Sequence, residues 1–598
     1  MTLPSSDVTE VPAGASLAPS SSARSVVTFG CSNKGTVLTP RAVGSTLGPL
    51  TSTFGCGPGV KACAYVQAQT GADSIFIRLP ATAVAAFKSA VITVGGGTSV
   101  ITVVGTPLDG FDVQLIITTG GTVGTAGASY KLSIDGGVTF SNITALGVAT
   151  TIALPGTGLT INMGSGTLTT GEAVTFYTLP ASQTSLPLTT TRAAASTCVI
   201  TETTGRPEDA YEVRWECQNG GTIGIAGITF RYSLDRGLNW SASTALGVAS
   251  TFALLDGPEL AGLTLAFAAG TLDTGDFVTF NTTAPEWQAS DAVAALAALR
   301  ASKVKFSFLH AVGVVDPTKA GSIGTTIAAW SAKSKFSWCA GSVRDWGTNE
   351  TQLDWIASIV AAWASFADTR IALGAGMARL TCPITGRSNR RSVTWKAVAA
   401  TVSAAPQTDI AQKNLGPLSS DVQIYDVNGA LVEYDARINS TLFDNRFIVY
   451  RTWEDEAGVF FARGNLMGPP GDIQRITYRR VLNIVDEVYQ KAMRQQIESP
   501  FRRWGARVKM PFLPGDIHEA DAMRIQQQIQ TALRTQVVEL GMVSSIVATL
   551  ERTPISTGQG TWRVECDIKV VGLAYIDNAL GRVGFVDPVL DAILNKKG

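Results

Sequence analysis

One stretch of this chain is written twice. Gly120-Gly121-Thr122-Val123-Gly124 returns as Gly220-Gly221-Thr222-Ile223-Gly224, and Thr144-Ala145-Leu146-Gly147-Val148-Ala149 returns as Thr244-Ala245-Leu246-Gly247-Val248-Ala249. Gly166-Thr167-Leu168 through Phe176 returns as Gly270-Thr271-Leu272 through Phe280, so the spacing grows from 100 to 104 residues and the second copy carries an insertion of four. Short alternating apolar runs separated by glycines fill the region from Val91 to Thr283, a pattern of strands and turns rather than helices. The repeat predicts two duplicated β-domains, 91–180 and 195–285, joined by the Thr/Pro/Ser stretch from Pro180 to Thr191.

After Ser290 the texture changes. Helix-like and strand-like runs alternate: a helix at Asp291–Arg300 with Ser290 as its cap, a strand at Val304–Leu309, a helix from Pro317 to Ser331, a strand at Lys335–Cys339, a helix at Glu350–Phe366 capped by Asn349, and a strand near Arg370–Leu373. That order implies a parallel or mixed sheet covered by helices. Further on, Val481, Ile484, Val485 and Val488 form one helical stripe, and Ile525, Ile529, Leu533, Val537 and Leu540 another, ended by Gly541. Trp562 to Val570 alternates apolar and charged, as a half-solvated strand does. The expected class is mixed multidomain α+β, with an α/β core interrupted by the all-β repeats.

The 598 residues carry as many Lys and Arg as Asp and Glu, and only 16% are charged. A nucleic-acid binder would show a basic excess; a weakly charged surface suits self-association. No apolar run reaches the ~18–20 residues of a membrane helix. Eight cysteines without a CxxC pair, and two histidines, His310 and His518, exclude an ordinary zinc site. Scattered thiols in apolar runs read as small buried hydrophobes in a reducing compartment.

The most enzyme-like signal is Ser133-Ile134-Asp135-Gly136-Gly137 and its echo Ser233-Leu234-Asp235-Arg236-Gly237. Both resemble the Asp-box hairpin of sialidase-type propellers, where the Asp accepts backbone N–H bonds and the Gly takes a positive φ. Two copies are too few for a propeller, so Asp135, Gly137, Asp235 and Gly237 are expected to be structural turns. A glycan-binding adhesin is the rival reading. No phosphate loop or nucleophile elbow occurs, and His310 at the end of an apolar strand reads as a satisfied core histidine. No catalytic residue, cofactor or metal is expected. Arg475, Arg479 and Arg480 read as a solvated face, with a patch that meets an acidic partner surface as the alternative.

Three stretches resemble contractile tail sheath proteins. Val26-Val27-Thr28-Phe29-Gly30, followed by Lys34-Gly35-Thr36, Pro40 and Ser74-Ile75-Phe76-Ile77-Arg78-Leu79, is similar to the family's opening. Ala457 to Asn465 looks like the segment ending "G-x-R-T", with Asn465 in place of Thr, and Tyr478 to Asp486 resembles the "R-R-x-x-N/D-x-I" helix. The helix ending at Leu540-Gly541 with the strand at 562–570 resembles the family's C-terminal domain.

The resemblance implies a non-enzymatic subunit that polymerises as helical rings around a tail tube and contracts, located in the tail after assembly in the host cytoplasm. It implies homo-oligomerisation, with tube, baseplate and terminator proteins as partners, and neither nucleic-acid binding nor membrane insertion. Its divisions on this chain would be an N-terminal arm 1–22, core 23–90 and 290–470, C-terminal domain 471–573 and C-terminal arm 574–598. Interface residues are expected at Arg502, Arg503, Arg507 and Lys509, facing the tube, and at Tyr575, Ile576, Phe585 and Val586, reaching a neighbour.

Overall fold

The computed structural model of the chain describes residues 25–574 apart from 82, 88–91, 106–110, 135–136, 138, 156, 182–188, 192–195, 204–206, 258, 303, 332–334, 346–351, 419–440, 454–455, 470–472, 497–499, 504–514 and 559–560. Two compact units are present, 1–487 and 488–598, and the boundary falls inside the helix Ile476–Arg494.

The first unit is organised on a six-stranded sheet. Its order is Arg41–Gly44, Ser74–Leu79, Val26–Cys31, Phe308–Val314, Cys339–Ser342, Ile371–Gly374. All neighbours are parallel except Arg41–Gly44, and Ile448 adds a parallel bridge to Gly374. The strands Val26–Cys31 and Ser74–Leu79, apolar apart from Thr28, Ser74 and Arg78, are buried at every residue, as strands covered on both faces must be.

Side-chain alternation sorts the core into two layers. Val27, Phe29, Ile75, Ile77, Leu309 and Ala311 meet the helices Ala289–Ala301, Pro317–Ser331 and Gln352–Trp363. Val26, Phe308, Val312, Ala340 and Ala372 meet Pro58–Thr70 and Val393–Ser403. The sheet is therefore doubly wound.

Between residues 92 and 281 only strands occur among the described residues. The two runs share one strand order. In the first, Thr144–Ala145, Ser129–Ser133, Asp112–Thr119, Ala173–Ala181 and Ala83–Phe87 form one sheet, and Thr151–Leu154, Leu159–Met163 and Ile101–Gly105 another. In the second, Thr244–Ala245, Thr229–Ser233, Glu212–Asn219, Phe277–Asn281 and Thr189–Thr191 are followed by Thr251–Asp256, Glu259–Phe267 and Ile200–Thr203. Each run has its own apolar centre, around Leu115, Ile161 and Phe176 in one and Trp215, Phe230 and Leu265 in the other. Gly270 has φ 151°, and a Cβ there would stand 2.7 Å from the Cys198 nitrogen, so only glycine closes that corner.

Several sequence expectations shift. The strand expected at 304–309 lies at Phe308–Val314, and that expected at 335–339 lies at Cys339–Ser342. In each case the chain spends its first apolar residues, Phe306 or Phe336 and Trp338, packing before it pairs. Ser290 is not the helix cap; Gln288 is, and its N–H donates to Asp291 at 2.8 Å. Asn349 lies outside the described residues. The strand Ala83–Phe87 joins the first β run, so that run starts before residue 91.

In the second unit, the helix Glu519–Leu533 continues into a π turn at Arg534–Val538 and covers the antiparallel pair Ser545–Leu550 and Cys566–Val571. Gly541 follows with φ 67°. The single strand expected over 562–570 is divided into Thr561–Arg563 and Cys566–Val571. Ser545–Leu550 offers partners only back to Cys566, and Thr561–Arg563 pairs instead with Ile555–Gly558.

Candidate functional site

Among the described residues of the first unit, a dense constellation of charge sits where the second β run meets the sheet's carboxyl edge. Lys61, in the first turn of Pro58–Thr70, donates to Asp209 at 2.7 Å and Asp256 at 2.5 Å. Arg391, one residue before the cap of Val393–Ser403, grips Asp209 with both nitrogens at 2.8 and 2.6 Å. Tyr211 donates to Asp256 at 3.0 Å, and Arg387 stands 3.5 Å from its other oxygen. Arg379 pairs with Glu212 at 2.6 Å, and Asn33 donates to Glu208 at 2.7 Å. Lys61, Asp209 and Asp256 are 1%, 0% and 1% exposed.

Charges this deep survive only because they are paired. Burial works against the Lys61 ammonium, but Asp209 and Asp256 raise its pKa well above the usual range. Burial likewise works against the Asp209 carboxylate, but Arg391 and Lys61 hold its pKa at about 2. Burial pushes the neighbouring Cys56 thiol up to about 12, so it is inert. The cluster's carboxylates belong to the second β run; Asp109 and Asp112 of the first run match Asp209 and Glu212, but Glu208 and Asp256 have no acidic counterpart. The first run has Leu108 and Phe111 where the second has Glu208 and Tyr211. Asp256 stands in the longer hairpin, paired across Leu255↔Leu260 and Asp256↔Glu259, where the first run turns directly from Leu154 to Leu159. The four extra residues thus build a docking hairpin.

The Asp-box turn of the second copy joins the same junction. Asp235 is fully buried and accepts from the Asn239 N–H at 2.8 Å, the Asn239 amide at 2.6 Å and the Ser233 hydroxyl at 2.7 Å. It also accepts from the N–H of Ser388, in the hairpin Met377–Thr381/Ser388–Ser392, at 3.1 Å. Gly237 has φ 95° and Trp240 packs beneath Arg231 and Arg214. In the first copy Gly137 has φ 87° and donates to Ser133, while Asp135 lies outside the described residues. Asp235→Ala is expected to destabilise the protein by about 3 kcal/mol, because several buried donors lose a charged acceptor. Denaturant unfolding checks this, and a loss below about 1 kcal/mol would contradict a structural role for the turn.

His310 is buried in the sheet, but neither ring nitrogen has a partner among the described residues, so it is not the satisfied histidine expected. Burial lowers its pKa to about 3. A histidine neutral in the fold and protonated when unfolded costs stability as pH falls from about 6.5 toward 3, at roughly 1.4 kcal/mol per unit. His310→Leu should cut the stability lost between pH 6.5 and 4 by about 3 kcal/mol. Acid titrations that superimpose would contradict this.

Arg475, Arg479 and Arg480 correct another expectation: they are buried, not solvated. Arg475 stands 3.4 Å from Asp409, Arg479 donates to Asn483 at 2.7 Å, and Arg480 donates to the carbonyls of Ala404 and Ala405. These internal carbonyls, not an acidic partner, are what the Arg480 guanidinium serves.

In the second unit, Arg502 is exposed and clamps Asp521 from its backbone N–H at 2.8 Å and its Nε at 2.9 Å, which hold the Asp521 carboxyl at about 2. Arg503 is exposed and bridges Ile517. Arg507, Lys509, Tyr575, Ile576, Phe585 and Val586 lie outside the described residues. Val547 and Val571, on the outer face of the strand pair, are more than half exposed. A cleft of about 930 Å³ is lined by Lys491, Gln495, Arg524, Gln528, Thr531 and neighbouring residues. Among the described residues no group of His, Cys, Asp and Glu could hold a metal, and no helix is long and apolar enough to cross a membrane.

No protein-family profile and no curated protein sequence matches the chain. Solved structures do. The sheath tail protein of Listeria innocua aligns over 92% of this chain and 95% of its own at 9% identity and TM-score 0.38. That of Desulfitobacterium hafniense aligns over 92% and 96% at 8% identity and TM-score 0.39. The contracted helical sheath of the anti-feeding prophage aligns over 52% and 78% at 14% identity and TM-score 0.32.

Proposed function

We propose that the chain is a structural subunit of a contractile tail sheath, polymerising as helical rings around a tail tube, and that the β repeats are a duplicated insertion decorating its core. The observation that carries this reading is the sheet. Val26–Cys31 and Ser74–Leu79, which hold the first sheath-like stretch, lie before the repeats and pair side by side with Phe308–Val314 after them. The second sheath-like stretch belongs to the same unit. Asn465, where the family has Thr, is buried, donates to the Phe447 carbonyl at 3.2 Å and bridges Arg475 just ahead of the Arg479 helix.

On this reading energy is stored in subunit packing and no catalytic group is used. The tube, baseplate and terminator are the partners, the tail is the location, and Arg502 and Arg503 face the tube. Negative-stain electron microscopy of the purified chain tests the reading: hollow tubes are expected, and monomers at all concentrations would count against it. Deleting about 83–285, which takes the strand Ala83–Phe87 with the rest of its sheet, should leave thinner tubes, because the four cations at the docking face then meet water rather than a dry, unpartnered interior; failure of that variant to assemble would contradict the insertion.

A further inference from the structure

In a doubly wound sheet, ligands bind outside the carboxyl ends of the strands, where successive connections leave for opposite faces. Here the parallel strands follow the order second, first, third, fourth, fifth in the sheet, so the reversal lies between Val26–Cys31 and Phe308–Val314. The connection after Val26–Cys31 uses Pro58–Thr70 on one face, and the connection after Phe308–Val314 uses Pro317–Ser331 on the other.

Beside that reversal, on the face covered by Pro58–Thr70 and Val393–Ser403, the carboxyl edge gathers cations around a crevice. Pro58–Thr70 begins beside it: a Cβ on Gly57 would stand 2.8 Å from Ser32 Cα and 2.9 Å from the carbonyl oxygen of Cys31, the last residue of the first strand. Val393–Ser403 begins at the same edge, with Thr394 donating to the Gly341 carbonyl. Both helices therefore point their positive dipole ends toward this edge, while the hydrogen bonds to the carboxylates come from side chains. Lys61 and Arg391 stand at those two N-termini, and Arg387 completes the wall from the adjoining hairpin. The occupants are the carboxylates of Asp209 and Asp256, carried by the second β run, which leads back to the sheet through the helix Ala289–Ala301.

We propose that this crevice is a carboxylate-binding site which the chain fills in cis, and that it takes a free small carboxylate when the cis side chains are absent. The assignment does not depend on the sheath reading. It accounts for the copy-specific chemistry, since only the second run carries the hairpin with Asp256.

The test uses the full chain with Asp209→Ala and Asp256→Ala together, each of which removes one carboxylate and leaves a formate-sized space. Its melting temperature is measured against sodium formate, sodium phosphate and sodium chloride at matched ionic strength. A saturable rise with formate, absent with chloride and absent in the unaltered chain, is expected. Adding Lys61→Met should abolish it. Should the double variant not fold, Asp256→Ala alone retains the Asp209–Arg391 pair and gives the same readout. An equal response from variant and unaltered chain, a formate response that survives Lys61→Met, or a larger rise with phosphate than with formate would each overturn the proposal.

Discussion

Lys61→Met is expected to destabilise the protein by about 3–5 kcal/mol, the range seen when one partner of a buried ion pair is removed. Methionine fills the space of the lysine stem as far as Cε, so the loss is mainly one of charge rather than volume. Asp256 would keep Tyr211 at 3.0 Å and Arg387 at 3.5 Å, and Asp209 would keep the two-pronged Arg391, yet both carboxylates lose their shared ammonium. Lys61→Met with Asp256→Leu should be more stable than Lys61→Met alone, because the second change removes one of the stranded charges. The junction also sets a pH window. The raised Lys61 pKa contributes stability that is fully present below 10.5 and is lost as pH rises through the folded-state value. The Asp209 carboxylate contributes stability present above 3.8 and lost as pH falls through about 2. Denaturant unfolding at neutral pH is the measurement. A single-variant loss under about 1 kcal/mol, or a double variant weaker than the single, would refute the account.

Ending the chain after Leu573 should abolish tube formation and leave the far-ultraviolet circular dichroism unchanged. This rests on the proposed sheath function and on the strand pair Ser545–Leu550/Cys566–Val571. The outer edge of Ser545–Leu550 is already capped within the subunit. Gln530 donates to the Ile546 carbonyl and accepts from the Ala548 N–H, both at 2.8 Å, and Gln526 accepts from the Leu550 N–H. The outer edge of Cys566–Val571 has no strand paired with it among the described residues, so that is where an arm carrying Tyr575, Ile576, Phe585 and Val586 from a neighbour would add. Each ladder bond contributes about 0.5–1.5 kcal/mol, reversible singly and cumulative around a ring. Electron microscopy decides the matter. Tubes built by the truncated chain would show that this arm is not the connector, and a changed spectrum would show that the segment belongs to the subunit's own fold.

The sequence carried the parts of this fold that are local or repetitive. The repeat stood out because both copies need glycine at the same corners, as at Gly166 and Gly270. The helix Pro317–Ser331 was legible to the residue because a proline starts it and its apolar spacing is regular. Strand positions drifted by three or four residues because pairing partners, not composition, decide where a buried run becomes a strand. The charge cluster was illegible for a different reason: Lys61 meets partners 148 and 195 residues away. A signal did exist. The four-residue offset and the change from Leu108 to Glu208 mark the second copy as the one altered for a task. The Arg479 and Arg480 burial was missed because a basic pair on an amphipathic helix reads as solvated until its carbonyl partners, Ala404 and Ala405, are brought in by the fold.

Where the β excursion leaves and returns has a practical side. The chain departs after Leu79 and comes back by Trp287, whose ring packs 5.8 Å from Phe29 on the adjacent strand. Exit and re-entry therefore share one doorway. A guest domain whose own ends lie close together could be spliced there without re-threading the sheet. In a helical polymer every subunit would then present one guest at a fixed repeat, turning the chain into a scaffold for periodic display.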